Sequence, residues 1–308
     1  MVCAAMIYSK LHPLVSVVVT CYNYGRYLRE CINSVLKQTY SNFEIIVIDD
    51  GSTDDTPQII QSFLDNRLIK YFRQDNQGQA TAKNEGIKRS RGDLIAFLDA
   101  DDQWQPTKLE KQLYLFTSDQ VGVVYSRASR INATGKPIPS PVDSKYLKPR
   151  RGMVTNYLIY DNFVPFSSSI VRSECFEKFG AFNDQLQMGI DWDRWLRIST
   201  KYTFEFCPEK LLIYRSGHGD QMSRNLEKRI FCADIIIESF LNDFPKAVSN
   251  RILKDSSYYT YCSRGYLFRK MNIIKSINYY NKAIRTYPLC LEAYVGLIKS
   301  LLFTFRRI

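Results

Sequence analysis

Phe43-Glu44-Ile45-Ile46-Val47-Ile48-Asp49-Asp50-Gly51-Ser52 sets the reading of this chain. A run of β-branched residues of this kind is a strand buried on both faces, as parallel sheets require. It ends in two carboxylates and a turn. The same grammar recurs on either side. Val15 to Thr20 is another buried strand, and Asp93 to Leu98 a further one, interrupted by Asp99-Ala100-Asp101-Asp102. Between them, Leu28, Cys31, Ile32, Val35 and Leu36 repeat at helical spacing within Tyr27 to Gln38. Asp54 or Thr53 suits the cap of a helix with Pro57 in its first turn. Leu68 to Phe72 reads as a strand and Gly78 to Lys88 as a helix. Thr107 to Phe116 then reads as a helix and Val121 to Tyr125 as a strand. Strand and helix in alternation predict an α/β fold with a mostly parallel central sheet flanked by helices.

Downstream the texture changes. Asn132 to Arg151, rich in Pro, Lys and Ser, reads as a surface loop, a candidate lid or acceptor-facing segment. Phe166 to Val171 reads as a strand, Asp191 to Thr200 as a helix, and Thr203 to Phe206 and Leu211 to Tyr214 as two short strands. Beyond Asn225 the pattern is helical, and Ile273 to Leu301 resembles one helical hairpin of the tetratricopeptide kind. The expected organisation is a catalytic domain over residues 1–225 and a helical region over 226–308.

Composition narrows the class. The chain has 308 residues and a formal net charge of +11, which favours anionic partners. Nucleic acid is not expected, because no zinc knuckle or aromatic RNA-binding signature is present. Eight scattered Cys without a CxxC pair point to a reducing cytosol. Met1 to Leu14 makes a poor signal peptide, and no run approaches the roughly 18–20 apolar residues of a spanning helix. Ile298 to Ile308 combines apolar and basic residues, as interfacial helices do; the alternative is an ordinary packed helix. The expected location is cytoplasmic, with peripheral contact to an anionic membrane at its inner face.

Ligands of open α/β sheets bind outside the carboxyl ends of the strands. Acidic strand ends also serve as turns and N-caps, which is the better account of Asp54 and Asp55. Three carboxylates within Asp99-Ala100-Asp101-Asp102 repel one another unless a cation or a proton intervenes, and a hard divalent ion with oxygen ligands is the economical answer. Such an ion, Mn2+ or Mg2+, keeps open positions for phosphate oxygens and neutralises a departing diphosphate.

Five stretches, in order, are similar to family 2 glycosyltransferases of the GT-A fold. They are Val17-Val18-Val19-Thr20-Cys21-Tyr22-Asn23, Val47 through Thr56, Asn76 through Gly86, Phe97 through Asp102, and Gly189 through Arg197. The resemblance covers about the first 225 residues and implies inverting transfer of a sugar from a nucleoside-diphosphate donor, UDP preferred, to an acceptor hydroxyl. By the family pattern Thr20 and Tyr22 hold the base, Tyr22 by stacking; simple core packing is its alternative. Asp50 accepts from the base imide, and Lys83 is a basic position near the nucleotide. Asp99 contacts ribose and metal, Asp101 is the stronger metal ligand, and Asp102 is a less certain third. Asp191 occupies the place of the general base at a helix start, with Ile190 where the family often has an acid and Asp193 as the second-ranked carboxylate. His218 either reaches the metal or diphosphate or is a plain loop histidine. The acceptor is a glycan or lipid-linked molecule of surface polysaccharide or glycolipid synthesis. A nucleotidyltransferase would carry a Gly-rich loop after the first strand, where Thr20 to Arg26 has one Gly; a non-catalytic nucleotide-sugar-binding module is the other alternative.

Overall fold

A computed structural model describes residues 12–139, 148–219 and 225–305. Parts of the loop from Asn132 to Arg151, of the segment after His218, and of the extreme tail from Arg306 lie outside the described residues. So do the first 11 residues, which hold most of the Met1 to Leu14 segment.

Strands β1 (Val15–Cys21), β2 (Phe43–Asp49), β3 (Ile69–Arg73) and β4 (Leu94–Asp99) pair in parallel in the order β3-β2-β1-β4. Their connections are helices α1 (Gly25–Leu36), α2 (Thr56–Gln61) and α3 (Gln79–Arg89). Every residue of β1 and β2 is buried, which accounts for their unbroken apolar character. Val17, Val19, Ile45 and Val47 enter a core with Leu28, Cys31, Ile32 and Val35 of α1, while Ile46 and Ile48 point to the other face, onto Ala82 of α3. Gly86 of α3 has a backbone reason. A β-carbon there would lie 2.3 Å from Val18 Cγ1, so only hydrogen lets the helix approach this closely.

The rest of the sheet is mixed. It continues through β8 (Ile170–Arg172), β6 (Val121–Ile131), β9 (Thr203–Arg215) and β5 (Gln103–Trp104), with β7 (Pro137–Ile138) added to β6. β8 runs antiparallel to β4 and to β6, and β5 antiparallel to β9, whereas β6 and β9 are parallel. The mostly parallel sheet read from the sequence is thus confined to the first half. The two short strands expected at 203–206 and 211–214 form one strand. Pro208 and Glu209 are absorbed where the register jumps from Ser126–Cys207 to Arg127–Lys210, a bulge that the Pro disguises as a chain break. The strand expected from Phe166 starts later, because Phe166–Ser168 is a 3-10 turn. Ser168 and Ser169 hydroxyls donate to the carbonyls of Pro165 and Phe166 at 2.7 Å each, a local pairing that outcompetes extension.

Helices α4 (Lys108–Leu113), α6 (Ser173–Phe179) and α7 (Ile190–Ser199) complete this part. The chain divides into two compact units. The first comprises residues 1–154 and 162–243; the second comprises 155–161, which hold α5 (Thr155–Leu158), and 244–308. The division falls later than the 225/226 boundary read from the sequence. Helix α8 (Leu226–Asp243) stays with the first unit: its Ile236 side chain lies against Gly189, and Asp243 pairs with Arg197 at 2.6 Å. The second unit contains α9 (Asn250–Phe268), α10 (Ile273–Thr286) and α11 (Leu291–Phe305), so the expected hairpin is present. Among the described residues no helix is long and apolar enough to cross a membrane.

Candidate active site

The parallel register brings Thr20 beside Asp99 and Cys21 beside Asp49, so β1, β2 and β4 end at one level. Outside these carboxyl ends lies an open cavity of about 890 Å³. Thr20, Tyr22, Asp50, Lys83, Asp99 and Asp101 all line it. Tyr22 is 46% exposed, which rules out core packing and leaves a ring face available to a planar ligand.

Asp50 is buried and already accepts three hydrogen bonds, from Gln74 Nε2 at 2.7 Å and from the backbone N–H groups of Gln77 and Gly78 at 2.9 and 2.8 Å. It therefore also shapes the loop that starts α3, with about one of its four acceptor positions left over. Its neighbour Asp49 faces inward and accepts from Ser52 N and Tyr71 Oη.

The three carboxylates of the acidic strand end diverge. Asp99 Oδ1 accepts from Lys83 Nζ at 2.9 Å and lies 3.5 Å from Thr20 Oγ1. Asp101 Oδ2 lies 2.9 Å from His218 Nε2. Asp102 is fully buried and accepts from the Arg215 backbone N–H at 2.9 Å. Burial, then the charges of its two acidic neighbours, push Asp102 well above the usual carboxylate range; burial and Asp99 push Asp101 up as well. The chain's own cations and donors thus meet this repulsion only in part, since Asp101 and Asp102 both stay above the usual carboxylate range. Asp102 does not line the cavity.

His218 is buried, edge-on to Tyr24 at 5.5 Å and against Tyr27. Among the described residues its Nδ1 has no hydrogen-bond partner. Among the described residues no three His, Cys, Asp or Glu side chains converge as a complete metal shell. Asp101 and His218 offer two donors, one carboxylate and one imidazole, with the Asp99 carboxylate as the next oxygen along the strand end. A partial oxygen-and-nitrogen set of this kind fits a divalent ion that draws its other ligands from phosphate and water, and the imidazole suits Mn2+ better than Mg2+.

Asp191 lies in the first turn of α7, after Gly189, whose left-handed φ of 74° turns the chain into the helix. Its Oδ2 accepts from Asn162 Nδ2 at 2.7 Å. Burial raises its pKa, opposed by the Trp192 N–H, by Asn162 and by the charge of Lys83. Asp191 does not line the cavity, yet it lies within electrostatic reach of Lys83, which does. Asp193 is buried between Arg197, at 3.0 Å, and Arg194, at 3.5 Å; its carboxylate is committed to the interior. Ile190 is buried as a core residue.

Sequence reasoning passed over several residues that build this site. Asn23 adopts φ 58°, and its Oδ1 accepts from Thr53 N at 2.7 Å and Asp54 N at 3.3 Å, tying the loop after β1 to the loop after β2. A left-handed Asn is a recognisable turn signal. Arg215 donates from Nε to the Asp101 carbonyl at 2.9 Å and pairs with Glu30 at 2.7 Å across 185 positions of sequence. Ser167 Oγ accepts from Asp99 N at 3.2 Å. Neither of these has a local signature.

A family model described as Glycosyl transferase family 2 matches residues 16–179. An uncharacterised glycosyltransferase of Rickettsia typhi is 30% identical over 271 residues, covering 86% of this chain and 82% of that one. The chain belongs to glycosyltransferase family 2. A Rickettsia felis relative is 29% identical over 84% of the chain, of whose own length the chain spans only 43%. TuaG of Bacillus subtilis, named for teichuronic acid biosynthesis, is 37% identical over 41% of the chain and 51% of its own length. Among solved structures, S. aureus TarS 1–349 in complex with UDP-GlcNAc superposes with a TM-score of 0.70 at 19% identity, over 93% of this chain and 88% of that one. The mannosyltransferase PcManGT of Pyrobaculum calidifontis, in complex with GDP-Man and Mn2+, gives 0.62 at 15% identity, over 94% and 80%. At these identities the likeness is one of fold. The family's GT-A architecture is the one present here, with its mixed sheet and added helices.

Proposed function

We propose that the protein is an inverting glycosyltransferase that moves a sugar from a nucleoside diphosphate, UDP preferred, to an acceptor hydroxyl. The observation that carries this reading is the gathering of Tyr22, Asp50, Lys83, Asp99 and Asp101 around one cavity at the carboxyl ends of β1, β2 and β4. Tyr22 stacks on the base and the remaining acceptor position of Asp50 takes its imide N–H, with Thr20 alongside. Asp99 meets the ribose. Asp101 and His218, with Asp99, hold the cation, which when bound supplies positive charge opposite the leaving diphosphate. Lys83, buried and 2.9 Å from Asp99, adds a fixed cation on the same side.

In the transfer, the acceptor oxygen forms its bond to the anomeric carbon as the bond from that carbon to the diphosphate oxygen breaks on the opposite face. Asp191 takes the acceptor proton. Its raised pKa makes it a stronger base than an exposed carboxylate, and Asn162 holds one oxygen in place. UDP-GlcNAc and GDP-Man in the two similar structures support a nucleotide-sugar donor, and the likeness to TuaG supports a place in surface polysaccharide synthesis. The acceptor is a glycan or a lipid-linked glycan, reached from the cytoplasmic side by a protein in peripheral contact with an anionic membrane.

The deciding experiment is a screen of nucleotide sugars for Mn2+-dependent hydrolysis and thermal stabilisation. One UDP-sugar should be hydrolysed, and Asp101→Ala should weaken the metal-dependent nucleotide binding. Binding of UDP without hydrolysis or transfer of any sugar would point instead to a non-catalytic binding module.

A further inference from the structure

Helix α11 is built the wrong way round for a helix on a globular unit. The face it packs inward is made of small residues: Ala293 and Ser300 are fully buried, and Gly296 lies so close to Tyr280 that a β-carbon would meet the ring at 2.1 Å. Ser300 bonds to Ser276 at 2.9 Å and Arg269 reaches Ser300 and the Gly296 carbonyl, so this face is fully committed to α9 and α10. Leu297 packs with this face against the cluster around Tyr280, whereas six other large apolar side chains lie on the opposite face. Leu291 is 76% exposed, Val295 48%, Ile298 55% and Leu302 56%, with Tyr294 and Leu301 beside them. At 100° per residue these six positions form one unbroken stripe about 120° wide. A contiguous stripe of this kind marks a surface that is covered by something.

The charge on the same unit selects what covers it. From Phe244 onward the sequence has twelve Lys and Arg against only Asp255 and Glu292, a net +10 of the chain's total +11. Lys275, Lys282 and Arg285, all of α10, line a cavity of about 360 Å³. A second copy of the chain would satisfy the stripe but bring two such charges together. A nucleic acid or an acidic glycan would satisfy the charge and leave the stripe in water. A bilayer with anionic headgroups satisfies both, since apolar side chains enter the acyl boundary while the cations meet phosphate.

We infer that the outer face of α11, backed by the basic charge of this unit, docks the protein on an anionic membrane surface. This rests on the peripheral contact proposed above and names its surface as Leu291 to Leu302, upstream of the extreme tail.

The full chain is tested by co-sedimentation with vesicles of phosphatidylcholine alone and with about one third phosphatidylglycerol. Binding to the anionic vesicles is expected, at least ~10-fold weaker without phosphatidylglycerol and weakened by added salt. The exposed-face variant Ile298→Ser/Leu302→Ser should lose at least ~10-fold in vesicle binding, and Lys282→Gln/Arg285→Gln several-fold. Circular dichroism of both variants should match the parent. Equal binding by Ile298→Ser/Leu302→Ser and parent would overturn the inference. So would absence of anionic vesicle binding, or a dimer in light scattering that this variant abolishes. Mn2+-dependent UDP binding, measured on the same proteins, is independent of these outcomes; its absence alongside intact vesicle binding would sink the transferase reading and leave this one standing.

Discussion

Lys83, Thr20, His218 and Arg215 give each carboxylate of the acidic strand end a partner before any ligand arrives. The fold therefore should not depend on a divalent ion. Adding a chelator should leave the thermal midpoint unchanged, and Mn2+ alone should raise it less than Mn2+ with UDP, because the chain supplies only a partial donor set. The two acids of α7 separate in the same way. Asp191→Asn should keep donor affinity and lose at least ~10² in turnover, the usual scale for a positioned base. Asp193→Asn should instead lower stability, since it strips a buried carboxylate from Arg194 and Arg197. Full turnover in Asp191→Asn would remove the base assignment. Asn162 offers a pH test. Its amide stabilises the charged form of Asp191, so Asn162→Ala should raise that pKa further and move the acidic limb of the kcat/KM profile to higher pH. Tyr22, Asp50, Asp99 and Asp101 were legible as site candidates because they stand at strand ends, where the chain order alone fixes their place. Arg215 and Ser167 were not, because their roles come from contacts with distant strands.

At the level of elements, β1, β2 and β4 could be read directly: strands buried on both faces leave an uninterrupted apolar run. β9 could not, since Pro208 carries a breaker signal that a bulge overrides, and the 3-10 turn at Phe166 was hidden by its apolar neighbours. The pairing of α3 with β1 makes a sharp prediction. Gly86→Ala places a methyl 2.3 Å from Val18 Cγ1 and should cost about 1–3 kcal/mol in unfolding free energy, read by urea titration. At the opposite end of the strands, Glu44 accepts from Ser16, Lys70 and Arg91, and these bonds outweigh burial to hold its pKa at about 2. A depressed folded pKa contributes stability that is complete above the unfolded value near 4.5 and is lost as pH falls through about 2. Glu44→Gln should thus be less stable than the parent at neutral pH, on the order of 1–2 kcal/mol given the exposure of Lys70 and Arg91. The gap should close as the pH is lowered through that window.

Across the whole chain, composition said less than its distribution. A net +11 reads as a uniformly basic protein, whereas nearly all of it follows Phe244. The unit boundary escaped the sequence for a related reason: α8 has the same helical texture as α9 to α11, and only Ile236 and Asp243 assign it to the sheet unit. A chain ending at Asn225 should therefore lose cooperative unfolding, while one ending at Asp243 should keep it, with amide exchange rising at 155–161. That last segment belongs with helices made much later. Leu158 and Ile159 are buried in the finished protein, and Tyr160 meets Tyr259 edge-on at 6.1 Å, yet the first residue of the partner helices is synthesised more than 80 positions after Asp161. At translation speeds of about 5–20 residues per second, the loop leaves the ribosome with its greasy side chains waiting for roughly 4–16 s. During that interval its apolar side chains offer a chaperone a place to bind.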